Sequence, residues 1–392
     1  MFRRGSVVII LITMIFVCTG CWDRMEINDM ALVMASSMDL EENGRYSGTV
    51  QMVIPARQIG NTSQKTKQYF VESGTGSSIQ ELIATEQSKL SRRLFVAHRR
   101  VLFIGEKLGR QGIKDFLDHF GRNPTTRLRT YVVLVKGGEG KNALNIDYPL
   151  EFVPTEAVRE MEKLVGGMAV TMRDLFLAAS GEGIEPVMGV VELTRSSEKV
   201  NAGNTRKTFN LTGTAVFKDL KLVGYLNARD TQLMMWVTGK LNSGMLTARL
   251  PDRKGSASIR LTSAKRTVVP SIQGGKVKFT IQLEGQGTVE ENKSGLDLAN
   301  PKYLHLIESA LEKSVPGETR KMIELVQKKY NSDIFGFGEV LHKKKPKVWR
   351  KLRHSWDELF ANAEFIVKTD FEVTRAGMIG PPLQLKEREI VK

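Results

Sequence analysis

The sequence predicts a multi-domain α+β protein in which antiparallel sheets pack against helices. Strand-like segments cluster in hairpins around short turns, such as residues 41–44 and 274–275. Amphipathic helical stretches lie between these hairpins, without the regular strand–helix alternation of a doubly wound parallel sheet. The 392 residues, 41% hydrophobic and 26% charged, suffice for more than one folded core.

Residues 1–20 have the pattern of a lipoprotein signal peptide. Two arginines precede an apolar run over residues 7–17, which is too short to span a bilayer but has the length of the hydrophobic part of an export signal. Two small residues then lead into Cys21, as in a bacterial lipobox, although Cys18 stands where leucine is usual. We therefore expect cleavage before Cys21 and a diacylglyceryl group on its thiol.

Two alternatives to lipidation fit parts of the same pattern. Cys18 and Cys21 have C-x-x-C redox spacing, but no strand precedes them, no helix follows them, and cleavage would separate the two sulfurs. An ordinary secretory signal with a cysteine nearby would also have this charge and length pattern. Because the chain has no other cysteine, the remainder forms no disulfide and offers no thiolate metal site or cysteine nucleophile.

The formal net charge of +15 favours a negatively charged binding partner. A basic protein can bind nucleic acid, but export removes that partner, so anionic lipid headgroups or an acidic protein surface fit better. The sequence has no second apolar run of membrane-spanning length. We expect a folded body held at a membrane by its lipid, with no nucleic-acid partner.

Residues 21–29 read Cys-Trp-Asp-Arg-Met-Glu-Ile-Asn-Asp. Trp22, beside an acylated cysteine, would lie at the headgroup level of a bilayer. The string resembles the C-W-D-x-x-E-I-[ND]-D start of the mature chains of the GerAC-type, or Ger(x)C, spore germination lipoproteins. Further stretches that resemble this family are residues 98–112, 213–240 and 333–339.

The predicted N-terminal α+β domain covers residues 21–195. Ser78 and Glu81 have capping-box spacing and begin one of its helices. The predicted strands cover residues 30–38, 46–54, 94–104, 131–135 and 187–193, and the predicted helices cover residues 78–90, 105–120, 156–164 and 171–179.

No catalytic constellation can be assembled from the sequence. His98 lies in a predicted strand beside two arginines, and a half-buried structural histidine is favoured over a proton carrier because its segment holds no carboxylate or second histidine. The other histidines lack metal-binding spacing. The glycine-rich residues 137–142 lack the leading glycine of a phosphate loop, at Val135, and its Ser or Thr, at Asn142. We expect no enzyme activity, no cofactor and no metal site.

A polar stretch without apolar periodicity, residues 196–208, is the predicted linker. A C-terminal α+β region is predicted over residues 209–380, either whole or divided at about 209–245 and 246–380, and residues 381–392 form a polar tail.

The C-terminal region begins with a predicted hairpin, residues 211–217 and 221–225. Asn227 can cap the next helix and Gly239 can end it. The Met and Trp side chains of this helix indicate core packing in preference to a ligand groove.

The end of the chain has the clearest periodicity. Helices are predicted from Pro301 and over residues 319–330, and residues 333–339, Asp-Ile-Phe-Gly-Phe-Gly-Glu, predict a glycine-dependent turn with buried aromatic rings. A helix begun by Pro346 carries one apolar stripe: Trp349, Leu352, Trp356 and Phe360. The last strand is predicted to bury alternate residues: Phe365, Val367, Phe371 and Val373.

A dense basic cluster lies within this patterned segment: Lys343, Lys344, Lys345, Lys347, Arg350, Lys351 and Arg353. Basic residues near an anionic lipid surface each contribute about 1 kcal/mol of attraction. A solvated helix face fits the same residues equally well. We treat Trp22 and this cluster as a candidate membrane or partner surface.

The family resemblance implies a function. It indicates the lipid-anchored C subunit of a nutrient germinant receptor, on the outer face of the spore inner membrane, needed for nutrient-triggered germination through assembly with integral-membrane A and B subunits. Nothing in the sequence places a germinant-binding site in this subunit.

Two other classes compete with this interpretation. A lipid-anchored solute-binding protein of a transporter should have two lobes of alternating strand and helix, whereas the strands here cluster in hairpins. An exported hydrolase needs a nucleophile with a base, or a metal constellation.

Overall fold

The computed structural model describes residues 26–54, 68–151, 153–200, 204–250, 255–274 and 276–375. The predicted signal peptide, Cys21, Trp22 and the predicted polar tail lie outside the described residues. The described residues form two β-sheets, and helices pack against both. The predicted α+β class is confirmed.

The first sheet has nine strands and runs through residues 30–227. Its strands are β1 (Met30–Leu40), β2 (Tyr46–Val53), β3 (Tyr69–Gly76), β4 (Arg93–Phe95), β5 (Val101–Gly105), β6 (Tyr131–Val135), β7 (Val187–Val200), β8 (Asn204–Lys218) and β9 (Lys221–Asn227). The spatial order is β3-β2-β1-β5-β6-β7-β8-β9, and β4 also pairs with β1.

The centre of this sheet is parallel. The parallel pairs are β1–β4, β1–β5, β5–β6 and β6–β7, while the other pairs of the sheet are antiparallel. β5 and β6 are short apolar runs with nearly every residue buried, because both faces are covered. The pairing is therefore more mixed than the predicted antiparallel arrangement. β2 and β3 lie on one side of β1 as an antiparallel meander, and β5 to β9 lie on the other side, so the sheet lacks the parallel crossovers in both directions that define a doubly wound sheet.

Helices cover both faces of the parallel centre. They are α1 (Ile79–Gln87), α2 (Glu106–Gln111), α3 (Lys114–Arg122), α4 (Gly140–Leu144), α5 (Glu156–Val165) and α6 (Met172–Ser180). Leu108 and Phe116 of α2 and α3 pack in one core cluster, and Leu144 and Val158 of α4 and α5 pack in the other. The Ser78 Oγ caps α1, but the Glu81 carboxylate accepts from the Ser77 N–H, one residue before the position of a true capping box.

The predicted strand over residues 94–104 is interrupted in the structure. A 3₁₀ turn, Val96–His98, separates β4 from β5. Both strands pair with β1, β4 with residues 30–32 and β5 with residues 35–38. The interruption coincides with the irregularity of β1 between Val33 and Ala35, so the chain shifts register where β1 itself is bulged.

Most of the predicted linker, residues 196–208, lies in strands β7 and β8 in the structure. β7 and β8 continue as an antiparallel pair to Val200 and Asn204. The paired backbone satisfies its own hydrogen bonds, so this hairpin extends through residues too polar to show a strand pattern. As a result β8 and β9, which the sequence assigns to the C-terminal region, complete the first sheet.

The second sheet has four strands: β10 (Gly244–Arg249), β11 (Ser256–Gln273), β12 (Lys276–Asn292) and β13 (Glu364–Arg375). They lie in chain order, and only β12 and β13 are parallel among them. In β13 the predicted alternation is confirmed, with Val367, Phe371 and Val373 buried and Phe365 partly buried.

The helices of this half are α7 (Ala228–Thr238), α8 (Pro301–Leu325), α9 (Phe337–Lys344), α10 (Pro346–Leu352) and α11 (Trp356–Ala361). The predicted capping of α7 is confirmed, because Asn227 Oδ1 accepts from the Asp230 N–H at 2.9 Å and Gly239 is left-handed. The two helices predicted over residues 301–330 form one rod, α8 with a π turn at its end. The tryptophan stripe is divided between α10 and α11 by a 3₁₀ turn.

One continuous hydrophobic cluster reaches from the first sheet to the second. Trp236 of α7 is buried in it and donates from Nε1 to the Lys265 carbonyl of β11 at 3.0 Å. The two halves therefore share a core.

Gly183, in the loop between α6 and β7, forms a second connection between the halves. Its φ of +73° is left-handed, and its carbonyl accepts from the Glu339 N–H at 3.1 Å. A Cβ at this position would lie 2.6 Å from both the Gly338 Cα and the Trp349 ring. Only glycine allows this approach.

We predict that Gly183→Ala destabilises the protein far more than Gly44→Ala. Both glycines are left-handed, but Gly44 has no atom within 4 Å of an added Cβ. Gly44→Ala should cost about 1 kcal/mol from backbone strain, whereas Gly183→Ala should cost at least about 3 kcal/mol because the clash adds to the strain. Urea unfolding of the two variants measures the difference. Equal costs would show that the Gly183 contact does not hold the halves together.

Candidate functional site

The predicted attachment site enters the fold through a short exposed segment. Cys21 and Trp22 lie outside the described residues, which start at Glu26. The 3₁₀ turn Ile27–Asp29 is exposed and leads directly into β1. Because β1 lies inside the nine-stranded sheet, the chain passes from this segment straight into the core of the fold.

The predicted basic cluster forms a surface on α9 and α10, which we call the basic surface: Lys343, Lys344, Lys345, Lys347, Arg350 and Lys351. All six residues are exposed. Lys343 pairs with Glu339 at 2.5 Å, and Lys344 donates to the Val268 carbonyl at 2.7 Å. In the part of the chain that the structure describes, the other four form no ion pair.

Asp333 holds the turn that positions the basic surface. Its Oδ1 accepts from the Phe335 and Phe337 N–H groups at 3.2 and 3.1 Å. Its Oδ2 accepts from the Gly338 N–H at 2.8 Å and the Trp356 Nε1 at 3.1 Å. The left-handed Gly336, with φ of +71°, lets the chain turn around the carboxylate and begin α9.

Burial raises the pKa of Asp333 to about 6, because a charged group loses its hydration, while the four N–H donors oppose this shift. The carboxylate is therefore ionised at neutral pH. Charge-assisted hydrogen bonds are stronger than neutral ones, so this one side chain fixes the turn, the start of α9 and the position of α11.

Charged residues of the first half contact the helices that follow this turn. Glu182 accepts from the Trp349 Nε1 at 2.7 Å and from the Arg353 Nη1 at 3.1 Å. The hydrogen bond from Trp349, with the charge of Arg353, lowers the pKa of Glu182. Lys218 of β8 pairs with Glu185 and, at 2.5 Å, with Asp357. Arg353, which the sequence places in the basic cluster, thus pairs with Glu182 of the first half while its side chain stays exposed.

The structure assigns different roles to His98 and its neighbour. His98 is exposed in the 3₁₀ turn and is not the half-buried strand residue that the sequence predicts. Arg99 is the buried residue: its Nη1 donates to the Ser36 Oγ at 3.2 Å, and its guanidinium lies 4.6 Å from the centre of the Phe120 ring. An arginine just before a fully apolar strand was the only signal for this burial.

The glycine-rich segment after β6 binds the protein's own carboxylates. Asp39 accepts from the N–H groups of Gly140 and Lys141 at 2.6 and 3.0 Å. Glu106 accepts from the Gly137 N–H at 2.6 Å. These N–H groups, which would face phosphate in a phosphate loop, are already occupied.

No group of three or more His, Cys, Asp or Glu side chains among the described residues could hold a metal ion. Likewise, none of the helices within the described ranges is both long enough and apolar enough to cross a bilayer. The described residues do form an outward-facing basic surface. The turn that positions this surface is held by the buried Asp333 and lies where the two halves of the protein meet.

This architecture defines the class of protein: a two-part α+β protein with a basic surface on the helices that follow a hydrogen-bonded turn. Comparison with known families then identifies the family. Residues 23–193 match the family described as "Spore germination protein N-terminal domain", and residues 212–377 match "Spore germination B3/ GerAC like, C-terminal". The chain belongs to the GerAC-like family of spore germination proteins, as its sequence motifs predict.

Individual relatives match along nearly their whole length. The chain is 25% identical to spore germination protein KC of Bacillus subtilis, over 98% of each chain. It is 24% identical to spore germination protein B3 of the same organism, over 96% of this chain and 100% of that one. The crystal structure of the GerBC protein superposes with a TM-score of 0.57 at 20% identity, over 86% of this chain and 96% of that chain, which shows a shared fold.

We predict that Asp333→Asn costs about 3 kcal/mol of unfolding free energy, since the amide nitrogen would face N–H donors in either orientation and leave them unpaired. Asp370→Asn, at an exposed position of β13, is the control and should change stability by less than about 0.5 kcal/mol. Urea unfolding of both variants measures the effect.

The pH dependence gives a second readout. Because the pKa of Asp333 is raised in the folded state, wild-type stability contains a component that falls as the pH rises from 3.8 to about 6. This component should be absent from Asp333→Asn. If Asp333→Asn is as stable as Asp370→Asn, the carboxylate does not hold the turn.

Proposed function

We propose that this protein is the lipid-anchored subunit of a spore nutrient germinant receptor and supports nutrient-triggered germination by assembling with integral-membrane A and B subunits. The observation that carries the proposal is that the two family matches together span residues 23–377, apart from residues 194–211. The family matches therefore include both halves of the fold and the helices α9 and α10, which carry the basic surface.

A lipid at Cys21 would hold the body close to the membrane. Glu26 lies five positions after Cys21, a reach of at most about 18 Å when fully extended. One acyl chain gives marginal membrane binding, whereas two give a stable anchor. The proposed location is the outer face of the spore inner membrane, where the folded body would meet the extracytoplasmic surfaces of its partners.

The role we propose is one of assembly without catalysis. The buried carboxylates that accept several hydrogen bonds, those of Asp333 and Asp39, hold turns and helix starts in place. Among the outward groups available to a partner or lipid are the unpaired cations of the basic surface. Such a surface orients a tethered body by attraction to negative charge.

We predict that Cys21→Ala abolishes both the membrane retention and the function of the protein. Spores that lack this protein and the other germinant receptors of the strain would be complemented with wild type, Cys21→Ala or Cys18→Ala. Dipicolinate release after nutrient addition and abundance in the inner-membrane fraction would be measured. Cys18→Ala should behave as wild type, because Cys18 lies in the removed leader.

Equal defects in the two cysteine variants would favour a redox pair over a lipid anchor. Normal release from spores without the protein, in the background that lacks other receptors, would refute the germination role. A nutrient-dependent melting temperature of the purified protein would then favour a solute-binding function.

We also predict that the basic surface binds anionic lipid. Residues 22–392 carrying Lys345→Gln, Lys347→Gln and Arg350→Gln should bind phosphatidylglycerol vesicles about 100-fold more weakly than the unchanged sequence, because each charge contributes about 1 kcal/mol. The control replaces three exposed lysines of α8, Lys302, Lys313 and Lys321, with Gln. Vesicle flotation measures both. An equal loss in the control would show that net charge, and not this surface, governs binding.

A further inference from the structure

Glu162 of α5 is a buried carboxyl group without a partner. The residue is 2% exposed, and neither carboxylate oxygen has a hydrogen-bond partner in the structure. Burial raises its pKa well above the ordinary value, and no neighbouring cation opposes this effect. Leaving such a group unpaired costs about 1–3 kcal/mol, and a charged group costs more.

Two other deeply buried carboxylates, those of Asp333 and Asp39, are hydrogen-bonded. Asp333 accepts four N–H groups, and Asp39 accepts two backbone N–H groups and the Ser37 hydroxyl. Both hold turns or helix starts in place. Glu162 holds no such element, so packing alone does not explain a carboxyl group at this position.

The Glu162 side chain lines a cavity of about 180 Å³. The cavity lies between α5, β7, β8 and the start of α7, and it is lined largely by glycine backbone and aliphatic side chains. A Cβ at Gly189 would collide with the Glu162 Oε1 and lie 2.7 Å from the Met168 carbonyl oxygen. Both oxygens therefore lie directly against the Gly189 backbone, and only glycine leaves room for them there.

The chemistry of this cavity selects a small cation with an apolar tail. A carboxylate and a nearby carbonyl suit an –NH₃⁺ group, which donates three hydrogen bonds. Val165, Val190 and Leu211 supply apolar walls for a short alkyl chain. The cavity is smaller than the pockets that hold drug-sized ligands. The described residues supply one carboxylate here and no cluster that would hold a metal ion.

We propose that this cavity is a binding site for a short-chain primary ammonium compound, with the ammonium group against Glu162. The bound cation supplies the counter-charge that the buried carboxyl group lacks. The cavity is lined from both family-matched segments, by Glu162 and Gly189 of the first and by Thr231 and Gln232 of the second. A ligand there bridges the two halves and stabilises their contact. The inference does not depend on the proposed role in germination.

Isothermal titration calorimetry of the full chain in detergent tests the proposal, with n-propylammonium chloride as the probe. Glu162→Gln keeps the size of the side chain and removes its charge, and it should weaken binding at least about tenfold, the effect of losing one charge-assisted hydrogen bond. Glu160→Gln is the matched control, because Glu160 lies on the same helix but pairs with Lys163 and Arg159 on the surface.

Three further ligands define the chemistry. Neutral n-propanol lacks the charge, tetramethylammonium lacks the N–H donors, and potassium chloride lacks the alkyl chain, so all three should bind at least about tenfold more weakly than n-propylammonium. Equal binding by wild type and Glu162→Gln overturns the site. Equal binding of potassium or tetramethylammonium overturns the assignment to a primary ammonium compound. The absence of saturable n-propylammonium binding to wild type overturns the proposal as a whole.

Discussion

The four hydrogen bonds to the Asp333 carboxylate organise the C-terminal half of this protein. A carboxylate taken out of water is unfavourable unless its lone pairs are used, and here each oxygen accepts two N–H groups. Three donors come from the turn itself, and the fourth comes from Trp356, more than twenty residues later. The same side chain therefore closes a local turn and fixes a distant helix against it.

Contacts from the first half depend on that turn. The Glu185 N–H donates to the Asp333 carbonyl at 2.9 Å, and the Ser332 hydroxyl donates to the Phe217 carbonyl at 2.5 Å. Gly183 approaches Gly338 so closely that neither position tolerates a side chain. The joint is thus built from backbone groups and small residues around one buried charge. Such a joint has little freedom to repack, which suits a surface that must be presented in one orientation.

Local sequence patterns predict the elements that depend on neighbouring residues. The caps of α7, the alternation of β13 and the glycine turn at residues 333–339 all follow from short-range chemistry. Sheet order does not, because β1 pairs with strands that lie far along the chain. Hydropathy predicts a linker where β7 and β8 pair for the same reason: this pairing depends on backbone hydrogen bonds that side-chain hydropathy does not report.

The same distinction applies to the candidate sites: some are visible in the local sequence, and others depend on residues that are distant along the chain. The basic cluster is visible as a run of charges, but only the structure separates its internal members from its free ones. Arg99 and Glu162 are hidden in the sequence because their neighbours set their burial. For Glu162 a signal existed: it lies four residues after the buried Val158, on the apolar stripe of α5. A charged residue on such a stripe indicates either a buried partner or a bound ligand.

The distribution of paired and unpaired charge at the joint bears on how the body meets a membrane. Lys218 and Arg353 each form an ion pair with a carboxylate of the opposite half, so these two charges link the halves. Lys345, Lys347, Arg350 and Lys351 are not neutralised within the described residues, although i,i+4 acidic partners are common on solvated helices. The positive electrostatic potential of these four side chains therefore extends into the solvent. If Cys21 carries the proposed lipid, the body would lie within about 18 Å of a bilayer, and even a modest attraction would act at high effective concentration and set its orientation. The anchor would supply residence at the membrane, and the basic surface would determine which face of the body is turned toward it.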